Sequence, residues 1–360
     1  MKCGSYVYAT DSGLGILAKA FVDHGIVTDP LIIRHGRHPT HDEWYPGAPQ
    51  VADLRSPRGR MMLQDHCRGK DVMLFFETPF CWEIIDHCRQ IGVKTIVMPM
   101  HECMPSENRA EPDMWLCPSL LDVRWAEGQY KEGQPRPKIK FLPVPVEVPW
   151  RQRTKAEVFV HNAGHGGLKG RNGTAEVVKA IRLAKSPAKF VIRTQGDAGG
   201  IVSALEGDSR ADVLQGTADY GKLWDEGDVF LFPERHNGLS LPLQEARAAG
   251  MLVMCGDRFP VNTWLPQTGS QVLGEWHGSD VAERTPILIP VKSYQKNRIG
   301  PPYAEFEQAN FDPKDIAATI DAWHGKDISE YSLGGKAWAE ENSWAVLGPK
   351  YKAVLEELCR

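Results

Sequence analysis

At 360 residues, 42% of them hydrophobic and 24% charged, the chain has the make-up of an ordinary soluble globular protein and the length of about two domains. A net charge of -4 gives no global nucleic-acid signature, so a contact of that kind must rest on local patches. Eight scattered cysteines without a Cys-x-x-Cys pair argue against a zinc knuckle or a disulfide framework, and no apolar run approaches the roughly 18 residues of a membrane span.

The start reads as a first strand over 5–10 rather than a signal peptide, so a cytoplasmic location is expected. A glycine turn follows, with Gly13, Gly15 and Ala18 spaced as in a dinucleotide-binding fingerprint, and a helix to about His24. That fingerprint wants an acid after the second strand. The strand at 31–33 is followed instead by Arg34 and His35, which leaves an NADP-dependent oxidoreductase open. Arg34, Arg37, His38 and Arg58 lie in two basic segments interleaved with Trp44 and Tyr45, a pattern that can track phosphates and stack bases. The plainer reading is a pair of solvated loops, offset by Asp42, Glu43 and Asp53. Strands over 71–76 and 93–98 then deliver Glu77, His101 and Glu102. Polar side chains at the C-terminal ends of parallel strands line a ligand crevice, so these three are candidates for the chemistry. A strand ending near Ser119, a surface loop over 127–138 and a last strand from Lys138 place a domain boundary near Val148.

The second half opens with a strand over 156–161 and a glycine-rich loop carrying His165, Lys169 and Arg171, followed by a helix over 174–184. Flexible backbone amides and fixed positive charge make that loop a phosphate-cradle candidate. Strands at 188–194 and 211–215 and a short helix over 221–227 come next. The apolar run 229–232, the turn through Gly238, a helix from Pro242 to Ala249 and the run 251–254 read as a strand-helix-strand unit of a parallel sheet. Gly238, Leu239 and Ser240 lie at the start of its helix, where free N–H groups bind anions. Glu245, one turn in, can reach a ribose diol beside a phosphate, or simply face solvent. Asp257 follows the next strand as a weaker candidate. Asp312 with Pro313 predicts a capped helix, and Ser343-Trp344 precede a final helix to about Leu358.

The run 229–250 resembles the donor-binding segment of the large retaining GT-B glycosyltransferase family, whose pattern is Glu, seven residues, Glu around a Gly-x-Gly-Leu-Pro turn. On that pattern Glu245 takes the second acidic position, which holds the nucleotide ribose. Asn237 stands in the first, Ser240 replaces the second Gly, and Glu234 is an alternative to Asn237. The family's diphosphate-binding Lys falls on Asn172, so Arg171 or Lys169 must supply the charge. His101 with Glu102 matches a His and acid that relatives place toward the reacting sugar. The loop wording around Arg171 and Asn172 resembles glycosyltransferases encoded by bacteriophages, some of which decorate hydroxymethylated pyrimidines in DNA.

The resemblance implies an α/β chain of two Rossmann-like domains facing across a cleft: an acceptor domain over 1–148, a nucleotide-sugar domain over 149–343, and a helix over 344–360 that returns to the first. It implies transfer from a nucleotide-sugar, most commonly a UDP-sugar, with retention. His101, Glu102, Glu77 and Asn237 are the catalytic candidates, and no cofactor or essential metal is expected. The chain has no Asp-x-Asp triplet, which disfavours the metal-dependent glycosyltransferase architecture. Arg34, Arg37, His38 and Arg58 would face the acceptor. The favoured acceptor is a hydroxymethylpyrimidine in DNA; a lipid or cell-surface glycan, and a non-catalytic nucleotide-sugar binder, are the alternatives.

Overall fold

The computed structural model describes residues 1–34, 39–54, 56–105, 109–216, 222–264, 287–298, 303 and 305–360. The chain parts into two compact units, Met1–Pro145 with Arg298–Glu305 and Ser343–Arg360, and Val146–Asn297 with Phe306–Asn342.

The first unit alternates strands β1 (Cys3–Val7), β2 (Asp29–Ile33), β3 (Gln50–Val51), β4 (Val72–Glu77), β5 (Lys94–Pro99), β6 (Met114–Cys117) and β7 (Lys138–Phe141) with helices α1 (Gly13–Asp23), α2 (Pro57–Cys67), α3 (Glu83–Gln90) and α4 (Leu120–Gly128). The strands form one parallel sheet in the order β3-β2-β1-β4-β5-β6-β7. With helices covering both faces, a central strand is buried throughout, which is why the run 72–76 is apolar without alternation. Phe75, Trp115, Leu63 and Ile85 fill one side. Each fully buried side chain of this size contributes roughly 1.5–3 kcal/mol.

One stretch departs from the sequence reading. The basic segment around Arg58, read as a loop, is the start of α2: Ser56 caps it by accepting the Gly59 N–H at 3.0 Å, and Pro57 takes the first helical position. The unit is completed by the last helix of the chain, α10 (Trp344–Cys359). Its Tyr351 and Trp344 rings meet Phe21 of α1 edge-on, with centroids 4.8 and 5.1 Å away.

The second unit contains β8 (Val158–Gly164), α5 (Thr174–Leu183), β9 (Lys189–Thr194), α6 (Gly199–Leu205), β10 (Ala211–Gln215), β11 (Val229–Phe232), α7 (Leu241–Ala248), β12 (Leu252–Gly256), β13 (Leu288–Ile289), α8 (Pro313–Trp323) and α9 (Ser329–Glu341). Its sheet is again parallel, in the order β10-β9-β8-β11-β12-β13. An antiparallel ribbon of β14 (Val291–Asn297) and β15 (Phe306–Phe311) stands apart. Of the helix expected over 221–227, Gly221 lies outside the described residues; the rest is a turn closed by the Asp225 N–H on the Lys222 carbonyl at 3.1 Å. The predicted cap at Asp312 is present, its carboxylate accepting the Lys314 N–H at 3.0 Å. Among the described residues no helix is long and apolar enough to cross a membrane.

Candidate functional site

In the second unit the chain leaves β11 through Pro233 and turns over 234–240 before entering α7. Glu234 is the centre of that turn. It is 2% exposed, and a carboxylate out of water must be paired. Its Oε1 accepts from Asn237 Nδ2 at 3.0 Å and lies 3.5 Å from Arg171 Nε. Its Oε2 accepts the Ser240 hydroxyl at 2.6 Å and an Arg258 guanidinium N–H at 3.3 Å. Asn237 Oδ1 in turn accepts the Leu239 N–H at 2.9 Å. Both polar ends of Asn237 therefore bond within the turn.

Ser240, which precedes α7, has φ 47 and ψ 57, the left-handed region that side chains rarely enter. This conformation starts α7 with several N–H groups aimed away from the helix. Those of Gly238, Ser240 and Leu241 make no hydrogen bond to another described residue, whereas that of Leu239 is used by Asn237. The expected set of anion-binding amides is thus reduced by one. Glu245 is 7% exposed, so the solvent-facing alternative is removed.

The glycine-rich loop after β8 is fastened to the same turn. The Arg171 carbonyl accepts the Arg235 N–H at 2.7 Å. Gly173 has φ 77, and a Cβ there would collide with the Pro233 carbonyl oxygen, so only glycine lets the two segments touch. Asn172 donates through Nδ2 to the Asn162 carbonyl at 2.8 Å and closes the loop on its own strand. Lys169 and His165 are exposed. Lys169 makes no ion pair with another described residue, while Arg171 is drawn toward Glu234. Beneath the loop, His161 lies between the Leu231 carbonyl (2.8 Å from Nδ1) and the Thr174 hydroxyl (2.9 Å from Nε2).

In the first unit His101 opens a short 3-10 turn at the end of β5. Its Nδ1 lies 3.0 Å from Glu102 Oε2 and 3.6 Å from Asp122 Oδ1, and its backbone N–H donates to that same Asp122 oxygen at 3.0 Å. Burial alone would lower the His101 pKa; the two carboxylates outweigh it and push it up to about 9. Burial pushes the Asp122 carboxyl up, against the pull of His101. Glu77 ends the adjacent β4 at φ 62, and its Oε1 accepts the Cys103 thiol at 3.3 Å, which joins it to the His101 turn. Gly13 and Gly15 begin α1 beyond β1, the next strand over. Ser12 caps α1 by accepting the Gly15 N–H at 3.1 Å, and a Cβ on Gly15 would strike the Thr10 carbonyl oxygen.

No family model matches the sequence, and no curated protein matches it either; the likeness is to solved structures. HepE from Anabaena, crystallised with UDP and glucose, superposes with a TM-score of 0.64 at 9% identity over 99% of this chain and 100% of that one. A glycosyltransferase from Rickettsia africae ESF-5 gives 0.63 at 11% identity over 100% and 99%. The pneumococcal O-GlcNAc transferase GtfA, in complex with UDP and GlcNAc, gives 0.59 at 14% identity over 83% of this chain, which spans 59% of that GtfA chain. The fold is GT-B.

Within this GT-B chain the residues offered from sequence for an acceptor fare unevenly. Arg34 is committed to its own surroundings, donating to Gln50 Oε1 at 2.6 and 3.0 Å and pairing with Asp42 at 2.8 Å. Arg58 is exposed on the first turn of α2. Arg37 and His38 lie outside the described residues. Among the described residues no group of three or more His, Cys, Asp or Glu is placed to hold a metal ion.

Two residues escaped the sequence reading. Arg258, 5% exposed, donates through Nε to the Glu234 carbonyl at 2.7 Å and through Nη1 to the Asn237 carbonyl at 3.0 Å. Asp122, fully buried, receives the Ser119 hydroxyl at 2.5 Å as well as His101. Ser119 three residues before an acid was the one available signal, a helix-capping spacing.

Proposed function

We propose that the chain is a retaining glycosyltransferase that moves a sugar from a UDP-sugar to an acceptor hydroxyl. The observation that carries this reading is the start of α7. N–H groups at Gly238, Ser240 and Leu241, which make no hydrogen bond to another described residue, stand beside a glycine-rich loop bearing Lys169 and Arg171, with the buried carboxylate of Glu245 one turn inside the helix. The GT-B fold and neighbours crystallised with UDP support the choice of donor.

In this reading Glu245 holds the ribose, and Lys169, Arg171 and the helix N–H groups hold the diphosphate. The difficult step is departure of UDP as an oxocarbenium-like sugar forms, so donors fixed before the charge develops lower the barrier. Removal of one such donor from an active site commonly costs about 10²–10³ in kcat. His101, held by Glu102 and Asp122, acts at the reacting sugar, with Glu77 beside it. Asn237 and Glu234 shape the donor turn instead of supplying a free carboxylate to the sugar.

The acceptor is assigned by experiment. The protein is incubated with a panel of UDP-sugars and, separately, hydroxymethylcytosine DNA, a polyprenyl or glycolipid acceptor and an oligosaccharide, and products are weighed by mass spectrometry. A mass gain of one sugar names donor and acceptor together. UDP-sugar hydrolysis without transfer keeps the donor reading and removes these acceptors. Binding of UDP with neither outcome makes the chain a nucleotide-sugar binder, and absence of UDP binding rejects the proposal.

A further inference from the structure

We infer that Glu234 and Arg258 form a clamp that holds the turn before α7 with Ser240 in its left-handed conformation, and that both are positioning residues for UDP. The inference rests on the donor reading above and adds how the site keeps its shape. Glycine enters the left-handed region freely; serine does so only when its surroundings hold it there. Ser240 is fully buried; its carbonyl accepts the Leu243 and Gln244 N–H groups of the helix, and its side chain is tethered by the hydroxyl on Glu234 Oε2 at 2.6 Å. Glu234 is itself fixed from behind. A single planar guanidinium, Arg258, bonds the Glu234 carboxylate at 3.3 Å, the Glu234 carbonyl at 2.7 Å and the Asn237 carbonyl at 3.0 Å.

Those three bonds span the turn from 234 to 237 and fix where residues 238–241 begin. The direction of the Gly238 and Ser240 N–H groups is set by that span, so the clamp reaches a bound diphosphate through the backbone. A lysine at 258 would keep the charge and lose the fork, because an ammonium is a point donor that cannot hold two carbonyls and a carboxylate in one plane.

The test uses the full chain, with circular dichroism to establish folding, calorimetric titration of UDP, and donor KM and kcat measured separately. Glu234→Gln and Arg258→Lys are each expected to weaken UDP binding about 10- to 100-fold, the size of one or two lost charge-assisted bonds. Donor KM rises with it, and kcat changes less. Adding Ser240→Gly to either variant recovers affinity, since glycine holds the left-handed turn without a tether; a direct ligand contact would not be recovered this way. Folded variants that bind UDP as the wild type does, or that Ser240→Gly leaves unrecovered, overturn the clamp and leave the donor reading standing. A wild type that binds no UDP overturns the donor reading, and with it any positioning role. Should either variant fail to fold, Ser240→Ala removes one hydroxyl and spares the Glu234 and Arg258 pair; unchanged UDP affinity there also overturns the clamp.

Discussion

Asp122 Oδ1 accepts the backbone N–H of His101 at 3.0 Å and stands 3.6 Å from Nδ1 of the same ring. An acid at the third position of a helix ordinarily turns back to its own capping residue. Here Ser119 caps the helix by accepting the Asp122 N–H at 3.2 Å and donates its hydroxyl to Asp122 Oδ2 at 2.5 Å, while Oδ1 is turned on the loop after β5. The histidine is thereby held both by its backbone and by its charge.

The first prediction concerns that charge. With a pKa raised to about 9, the ion-pair stabilisation is complete below the ordinary histidine value of about 6.5 and is lost as pH climbs through 9. Asp122→Asn keeps the shape and removes one carboxylate, so His101 is expected to titrate closer to its ordinary range. Histidine ring NMR across a pH series reads this directly. If the proton serves turnover, the alkaline limb of kcat moves to lower pH with it; an unmoved titration would refute the coupling.

His161 behaves in the opposite sense. A carbonyl only accepts, so Nδ1 carries the proton toward Leu231, and neutral Nε2 accepts from Thr174. Burial pulls the pKa down to about 4, against the weaker push of the Leu231 carbonyl. The unfolded chain therefore takes up a proton between about pH 6.5 and 4 that the folded chain refuses, and stability falls by roughly 3 kcal/mol as pH drops across that window. Melting curves at pH 7 and 4.5 should show a smaller acid shift for His161→Asn than for wild type, from a lower starting point.

Gly173→Ala separates strain from collision. Gly173 and Gly207 have nearly equal φ, 77 and 79, but only a Cβ at 173 meets anything, the Pro233 carbonyl. Gly207→Ala should cost about 1–2 kcal/mol from backbone strain alone. Gly173→Ala should cost roughly 2–4 kcal/mol and weaken UDP binding, because the loop and the turn part. Calorimetric unfolding of the two variants side by side decides it.

Lys169→Ala is expected to lower kcat about 10- to 100-fold while moving stability by no more than about 0.5 kcal/mol, since the side chain is exposed. Its contribution is screened by salt, so donor KM should rise with ionic strength in the wild type and rise less in the variant. Glu245→Gln should raise donor KM instead. Equal salt dependence in wild type and Lys169→Ala would remove Lys169 from the diphosphate.

The alternating elements were legible because buried parallel strands leave unbroken apolar runs, and 229–232 was read to the residue; so was 211–215, although that edge strand is largely exposed and carries Asp212 and Gln215. Helix α2 was masked by Arg58, Gly59 and Arg60, which look like a loop, although Ser56 and Pro57 announce a helix start. The ribbon of β14 and β15 was missed because β14 is almost wholly exposed and carries no apolar face. In the candidate site, the sequence pointed to the loop and the turn but not to what ties them. Arg258 lies 24 residues beyond Glu234 and returns to it only because β12 pairs beside β11. Asp122 looked like any acid in a first helical turn. Nothing in the sequence spacing said that Asn237 would spend both of its polar ends on its neighbours.

The docking of α10 on Phe21 bears on how this chain emerges from a ribosome. Phe21 is made more than 300 residues before two of the three rings that enclose it, Trp344 and Tyr351. Until residue 344 is made that flank of the first unit stays open to water and to chaperones, whereas by then every residue of the second unit, which ends at Asn342, has been made. The second unit is thus the one able to finish folding first, and a nascent chain stalled before 344 should bind a hydrophobic dye at the place α10 would otherwise cover.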